Sequence, residues 1–367
     1  METSQSTDVL IVGAGPSGLA LGRELKRLGI SFRLIERGSA AGESWRRMPE
    51  HLKLVSPWKA NQLRGGPPRS WRPNRQVTRA EFLNYLENYA RSNELPISTG
   101  TEVLAVRHAP GREFTIETTH GTWTCRRMVS ATGYFQNPHV PAIDGLTTTQ
   151  IPWWHVTDYR SVEHVAKRLG GRGRKILIVG KRLSAGQILI ELVQAGFPVS
   201  LSHRSPIQFG SGPIGWWFFF RIYPWLEARR LRRRGQAARG FDVRMPGGAA
   251  RRFIENGTVQ CFPAIRRLDP DTVTFENGET LRPDAVIFAT GFRPALNHLQ
   301  SLNLPLDRVT GLPRTSEMQS KDVPGLYFLG LDHLRNFQSR FLRGIRSDAE
   351  VLAEQLAKSA QPGFTCP

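Results

Sequence analysis

Asp8-Val9-Leu10-Ile11-Val12-Gly13-Ala14-Gly15-Pro16-Ser17-Gly18 decides the reading of this chain. Residues 8 to 13 form a short apolar, β-branched run ending in glycine, the pattern of a buried parallel strand. Leu19 to Leu28 carry apolar residues at helical spacing, and Gly29 stands where a helix stops. Ser31 to Glu36 reads as a second strand with an acid at its end, which completes a β-α-β unit. Gly13 allows the tight turn, Gly15 lets the backbone approach a pyrophosphate, Gly18 lets helix and strand pack closely, and the helix N-terminus offers amide donors. Glu36, eighteen residues after Gly18, is placed to accept hydrogen bonds from a ribose 2′-hydroxyl. A carboxylate there argues for an adenosine ribose without a 2′-phosphate.

A second unit of this kind spans residues 175 to 204. Lys175 to Gly180 reads as a strand, Ser184 to Leu192 as a helix, and Pro198 to His203 as a strand followed by Arg204. His203 and Arg204 stand where Glu36 stood, and a cation there suits a 2′-phosphate, hence NADPH over NADH. Its turn departs from the pattern, because Arg182 replaces the glycine that permits close approach to a pyrophosphate. Two outcomes are open: the arginine swings out and pairs with phosphate, or the nucleotide binds weakly, differently or not at all. Ala131-Thr132-Gly133 and Ala289-Thr290-Gly291 repeat one phrase, each at the end of an apolar run, which places both at the carboxyl edge of a sheet. Gly325 to Asp332 reads as a further strand, and Arg346 to Lys358 as an amphipathic closing helix.

With 367 residues, 40% hydrophobic and 22% charged, the chain buries one large core or two moderate ones, which excludes disorder as its main state. No run approaches the length of a membrane span, and Met1 to Asp8 lacks a secretory pattern, so a soluble cytoplasmic protein is expected. Cys125, Cys261 and Cys366 lie far apart with no metal-ligand spacing, which argues against a disulfide framework, a dithiol centre and a metal site. Of the 50 basic residues against 31 acidic ones, 42 are arginine, and most are scattered. That charge suits anionic ligands or surfaces, but with no nucleic-acid-binding signature no nucleic acid is expected as a partner.

The set of motifs resembles the flavoproteins with two dinucleotide-binding domains, and most of all the class B flavin-dependent monooxygenases in their short bacterial form, with plant YUCCA-type enzymes more remote. The resemblance covers nearly the whole chain and rests on Gly13 to Gly18 with Glu36, Gly42-Glu43-Ser44-Trp45, the two Ala-Thr-Gly phrases, the turn at Gly180, Gly325 to Asp332, and Ser339 to Ile345. It implies an α/β fold of two Rossmann-like domains, the FAD domain being discontinuous: residues 1–150 and 284–367 around an inserted NADPH domain, 151–283. It implies FAD contacts from Gly13, Gly15, Pro16, Ser17, Gly18 and Glu36, and cofactor contacts from Arg37, Ser44, Trp45, Val103, Thr132, Gly133, His155, Tyr159, Thr290, Gly291, Gly330 and Asp332. For the nicotinamide nucleotide it implies Gly180, Arg182, Ser184, His203 and Arg204. The family's identifying motif is half present: His155 and Tyr159 are correctly spaced, while Thr149 and Ile151 replace its phenylalanine and glycine. Asn61 lies roughly where some relatives place an asparagine beside the flavin, and is the one catalytic candidate.

The implied chemistry is NADPH- and dioxygen-dependent monooxygenation through a flavin hydroperoxide, acting on a small hydrophobic substrate with nitrogen, sulfur or a carbonyl group. Two rivals remain open, a flavin oxidase or reductase with impaired NADPH use and a non-catalytic membrane-associated flavoprotein. The aromatic stretch Pro213 to Leu226, followed by Arg229 to Arg234, has three readings: a lid over a substrate channel, an interfacial helix at a membrane surface, or a homodimer contact.

Overall fold

The computed structural model describes residues 4–50, 52–66, 75–109, 111–171, 173–210, 222–223, 225–226, 229 and 244–359. Most of the aromatic and arginine-rich stretch 213–234 therefore lies outside the described residues, as does Cys366. The chain divides into two compact units, Met1–Asn137 with Arg293–Pro367, and Pro138–Phe292.

In the first unit, β1 (Ser4–Val12), α1 (Pro16–Arg27) and β2 (Phe32–Ile35) form the β-α-β motif. Val9 to Val12 are all buried, as a strand covered on both faces requires. Two short helices, α2 (Glu43–Arg46) and α3 (Trp58–Asn61), precede α4 (Arg79–Ser92), whose start carries a complete capping box between Thr78 and Glu81. Then come β3 (Ile97–Ser98), β4 (Val103–Arg107), β5 (Phe114–Thr118) and the long β6 (Gly121–Ser130). Strand β1 begins four residues earlier than its apolar run, because its polar start pairs with the first half of β6 from Ser4 and Thr122 onward. Helix α1 begins at Pro16 rather than Leu19, proline being suited to a first helical position whose N–H is unpaired.

The second unit contains β7 (Trp153–His155), α5 (Val162–Leu169), β8 (Ile176–Val179), α6 (Leu183–Gln194), β9 (Val199–Ser202), α7 (Ala249–Glu255) and β10 (Gln260–Phe262). A three-stranded antiparallel sheet, β11 (Ile265–Leu268), β12 (Val273–Phe275) and β13 (Thr280–Leu281), leads into β14 (Ala285–Phe288). The chain then returns to the first unit through β15 (Thr315–Ser316), β16 (Gln319–Ser320), β17 (Leu326–Phe328) and α8 (Leu342–Lys358).

The two units repeat one topology. Five parallel strands run β3-β2-β1-β6-β17 in the first and β10-β9-β8-β14-β7 in the second. In each, the strand order reverses beside the strand that opens the β-α-β motif, between β1 and β6 and between β8 and β14. Such a reversal opens a crevice at the carboxyl ends of the strands.

The sequence-based boundaries at 150 and 284 need correction. Residues 138–150 pack Val140, Ile143 and Leu146 into an apolar cluster of the second unit with Leu177, Val286 and Phe288, and β14 pairs with β8 and β7. Both segments therefore belong to the second unit. At the crossings, Arg293 N–H bonds the Asn137 carbonyl at 2.9 Å within the first unit, and His139 N–H bonds the Gly291 carbonyl at 3.0 Å within the second. No helix among the described residues is long and apolar enough to cross a membrane.

Candidate functional site

The crevice of the first unit is built on glycine at the positions where backbone must touch backbone. Gly13 has a φ of +105°, and a Cβ there would come within 2.8 Å of the Ala131 carbonyl oxygen. A Cβ on Gly18 would run into the Gly13 carbonyl oxygen, so α1 can approach the turn only with glycine at this position. Gly15 differs from both, because a Cβ there would meet nothing within 4 Å. It faces open space where α1 starts, and neither a capping side chain nor an acid satisfies the first turn of that helix. Pro16 and Ser17 belong to this same turn, which is a ready receptor for an anion.

Glu36 closes β2 and is buried, with Oε2 accepting from Ala14 N–H and Oε1 from Gly38 N–H, both at 2.8 Å. One carboxylate thus ties the glycine turn to the strand end and keeps lone pairs for a further donor. Arg37 is exposed, with its guanidinium 3.5 Å from Glu102. Val103, at the start of β4, is buried and pairs with Thr118. Ser44 and Trp45 lie on α2, and the indole meets Phe82 and Phe135 edge-on at 4.6 and 5.9 Å.

The opposite side of the crevice is formed by the ends of β6 and β17. Thr132 Oγ1 donates to the Ala295 carbonyl at 2.7 Å, and Gly133 has a φ of +65°. Gly330, at φ +82°, sits so close to Ser17 that a Cβ would strike its Oγ. Two residues on, Asp332 enters a network the sequence did not reveal. Tyr134 Oη donates to its Oδ2 at 3.0 Å and accepts from its backbone N–H at 2.7 Å, while Arg340 Nε lies 3.2 Å from Oδ1. Burial, reinforced by the charge of Asp332, pushes the Tyr134 phenol well above its ordinary range, so it remains a donor.

The second unit repeats the first relation. Gly180 has a φ of +151°, and a Cβ there would come within 2.5 Å of the Ala289 carbonyl oxygen, as Gly13 does with Ala131. Thr290 Oγ1 donates to the His139 carbonyl at 2.5 Å, as Thr132 donates to Ala295. Arg182 caps α6 in extended backbone, with an exposed side chain and a backbone bridge to Arg244. Ser184 lies in the first turn of α6, which has no side-chain cap. At the end of β9, His203 Nδ1 donates to the Ser205 carbonyl at 3.1 Å, and Arg204 is exposed.

Three candidates take positions other than those expected. Asn61 is 1% exposed, and its amide is spent on Ser56, accepting from the hydroxyl at 2.6 Å and donating to the carbonyl at 2.9 Å; it clasps a loop and is corrected from catalytic candidate to structural residue. Tyr159 is fully buried and its hydroxyl donates to Glu191 on α6 at 2.5 Å, so it anchors that helix rather than facing a ligand. His155 is buried too. Its Nε2 donates to the Gly291 carbonyl at 2.9 Å while Nδ1 accepts from Thr157 N–H at 3.1 Å, a tautomer assigned from these partners. Desolvation pushes its pKa down to about 4, which leaves a neutral imidazole holding the second Ala-Thr-Gly turn.

Residues 10–232, more than half of the chain, match the family model described as pyridine nucleotide-disulphide oxidoreductase. An uncharacterized CzcO-like oxidoreductase of Geobacillus kaustophilus is 28% identical over 353 residues, covering 95% of this chain and 98% of the relative. A probable indole-3-pyruvate monooxygenase of Arabidopsis thaliana, YUCCA8, is 27% identical over 389 residues, covering 95% and 88%. Among solved structures, a double-mutant form of a flavin monooxygenase from Stenotrophomonas maltophilia superposes with a TM-score of 0.82 at 26% identity, covering 97% of this chain and all of that one. The chain therefore belongs to the pyridine nucleotide-disulphide oxidoreductase family and is a flavin-dependent oxidoreductase of the class B monooxygenase-like kind.

Proposed function

We propose that the chain is an NADPH- and dioxygen-dependent monooxygenase that holds FAD in its first unit and NADPH in its second, and oxygenates a small hydrophobic substrate bearing nitrogen, sulfur or a carbonyl group. The observation that carries this reading is the duplicated cradle, Gly13 beneath Ala131 and Gly180 beneath Ala289, with opposite charge at the two ribose ends. Glu36 accepts from a free 2′-hydroxyl and repels a 2′-phosphate, whereas Arg204, with His203 beside it, favours the phosphate. The open space over Gly15 and the uncapped start of α1 fit a pyrophosphate.

FAD, when bound, supplies hydride acceptance and dioxygen activation, which no side chain provides. The protein supplies position and dryness. Tyr134 and Arg340 fix Asp332 beside the crevice, and His155 holds Gly291 without exchanging a proton near neutral pH. Arg182 favours one second reading, an oxidase or reductase in which substrate itself reduces the flavin, because its Cβ lies at the position that Gly15 leaves open in the first unit.

Anaerobic stopped-flow mixing of the yellow protein with NADPH, with NADH in parallel, separates the two readings. Bleaching of the flavin band that is faster with NADPH, followed by dioxygen- and substrate-dependent NADPH consumption in air, is the expected result. Absent bleaching with both nucleotides removes the monooxygenase reading and leaves substrate-driven reduction.

A further inference from the structure

The residue that follows α3 carries a buried polar group without a partner among the described residues. Gln62 is 9% exposed, and its Nε2 has no hydrogen-bond partner among the described residues. Its neighbour Asn61 is satisfied by Ser56, and the next residue, Leu63, is held through its backbone N–H by Tyr85 Oη at 2.7 Å. The residues on both sides of Gln62 are thus held, Asn61 by its side chain and Leu63 by its backbone, while Gln62 Nε2 has no partner among the described residues. An unmade hydrogen bond of this kind lowers the stability of the folded protein. Gln62 Nε2 is one of several buried polar atoms without a partner among the described residues, and such an atom is open to a group that completes it.

The flanking residues place Gln62 in the fold. On one side, the Lys59 carbonyl accepts from Arg346 of α8, and on the other Arg64 pairs with Glu350 of α8 at 2.7 Å. Gln62 therefore lies against the first turns of α8. Ile345, in the first of these turns, and Ser17, in the first turn of α1, meet at Gly330, where a Cβ would touch both. The starts of α1 and α8 thus meet at Gly330, and the next turns of α8 hold the residues on either side of Gln62. Glu36, which marks the adenosine end, closes β2 on one side of β1, while Gly330 follows β17 on the other.

We propose that Gln62 is a cofactor-binding residue that donates a hydrogen bond from Nε2 to the acceptor edge of the flavin ring, a proposal that rests on FAD occupying the first unit. The flavin ring carries carbonyl oxygens and ring nitrogens, so an amide donor is matched in type and the ring relieves the unpaired group. Two effects of opposite sign follow for the near-isosteric Gln62→Leu variant. FAD-free protein melts at the same or a higher temperature, because an unsatisfied polar group has been removed. FAD binds about tenfold more weakly, and the absorption bands of the bound flavin shift.

The experiment measures thermal unfolding of the FAD-free protein, the FAD dissociation constant and the bound-flavin spectrum for wild type, Gln62→Leu and Gln62→Met; the methionine variant serves if the leucine variant does not fold. Unchanged affinity and spectrum in either folded variant overturn the assignment of Gln62 and leave the FAD site standing, as does an altered substrate KM with an unchanged flavin. Wild-type protein that takes up no FAD overturns both.

Discussion

His155 shows how a residue picked for one role fills another. As half of the family motif it stands as a cofactor-binding candidate, yet both ring nitrogens are engaged within the protein and its pKa is pushed down to about 4, mainly by desolvation. The unfolded chain binds a proton on this ring near its ordinary value of 6.5, and the folded chain does so only near 4, so its stabilisation is complete above pH 6.5 and is lost as pH falls towards 4. Between pH 7 and pH 5 this ring alone removes about 2 kcal/mol of folding stability. Urea unfolding across that range should show the loss, and His155→Gln should flatten it. Some slope remains in the variant, because burial also pushes His298 down to about 4. A wild-type curve as flat as that of the variant would contradict the buried neutral imidazole. Glu36 was legible from the chain because an acid at the end of a β-α-β unit has few other reasons to be there. Tyr134 was not, since it acquires its meaning from Asp332, far along the chain.

At the scale of elements, the start of α1 separates folding from binding within four residues. Gly18→Ala places a methyl against the Gly13 carbonyl and should cost about 2–3 kcal/mol by forcing α1 off the turn. Gly15→Ala meets open space with an ordinary backbone angle, so the unfolding midpoint of FAD-free protein should move by no more than about 0.5 kcal/mol while FAD affinity falls at least about tenfold. Chemical denaturation beside flavin titration reads both. Loss of stability in Gly15→Ala would mean that the turn has no open approach. The β-α-β elements were readable because their apolar runs are buried on both faces, giving unbroken periodic signals. The β4, β5 and β6 meander was read only in part: its alternating, half-polar strands pair with one another across short turns, and that signal is weak in any one strand. The small sheet β11 to β13 escaped for the same reason.

For the whole molecule, two units with separate apolar clusters should respond separately to their ligands. Calorimetry of FAD-free protein should resolve two transitions. FAD at about a hundred times its dissociation constant should stabilise the first unit by about 2.7 kcal/mol and leave the second in place, while NADP+ should act on the second alone. A single transition moved by either nucleotide would show that the units unfold as one. The repeated strand order was implied by the two β-α-β signals, but the boundaries at 137 and 292 were not, because residues 138–150 have too little regular structure to declare their allegiance and are claimed by an apolar cluster assembled from distant strands. The crossings themselves have a consequence for engineering. Asn137 and Arg293 are joined by one backbone hydrogen bond, so removing residues 138–292 leaves two chain ends that a two-residue splice, with a reach of roughly 7 Å, can close. The second unit thus enters and leaves the host at neighbouring points of the chain, its plug and socket side by side.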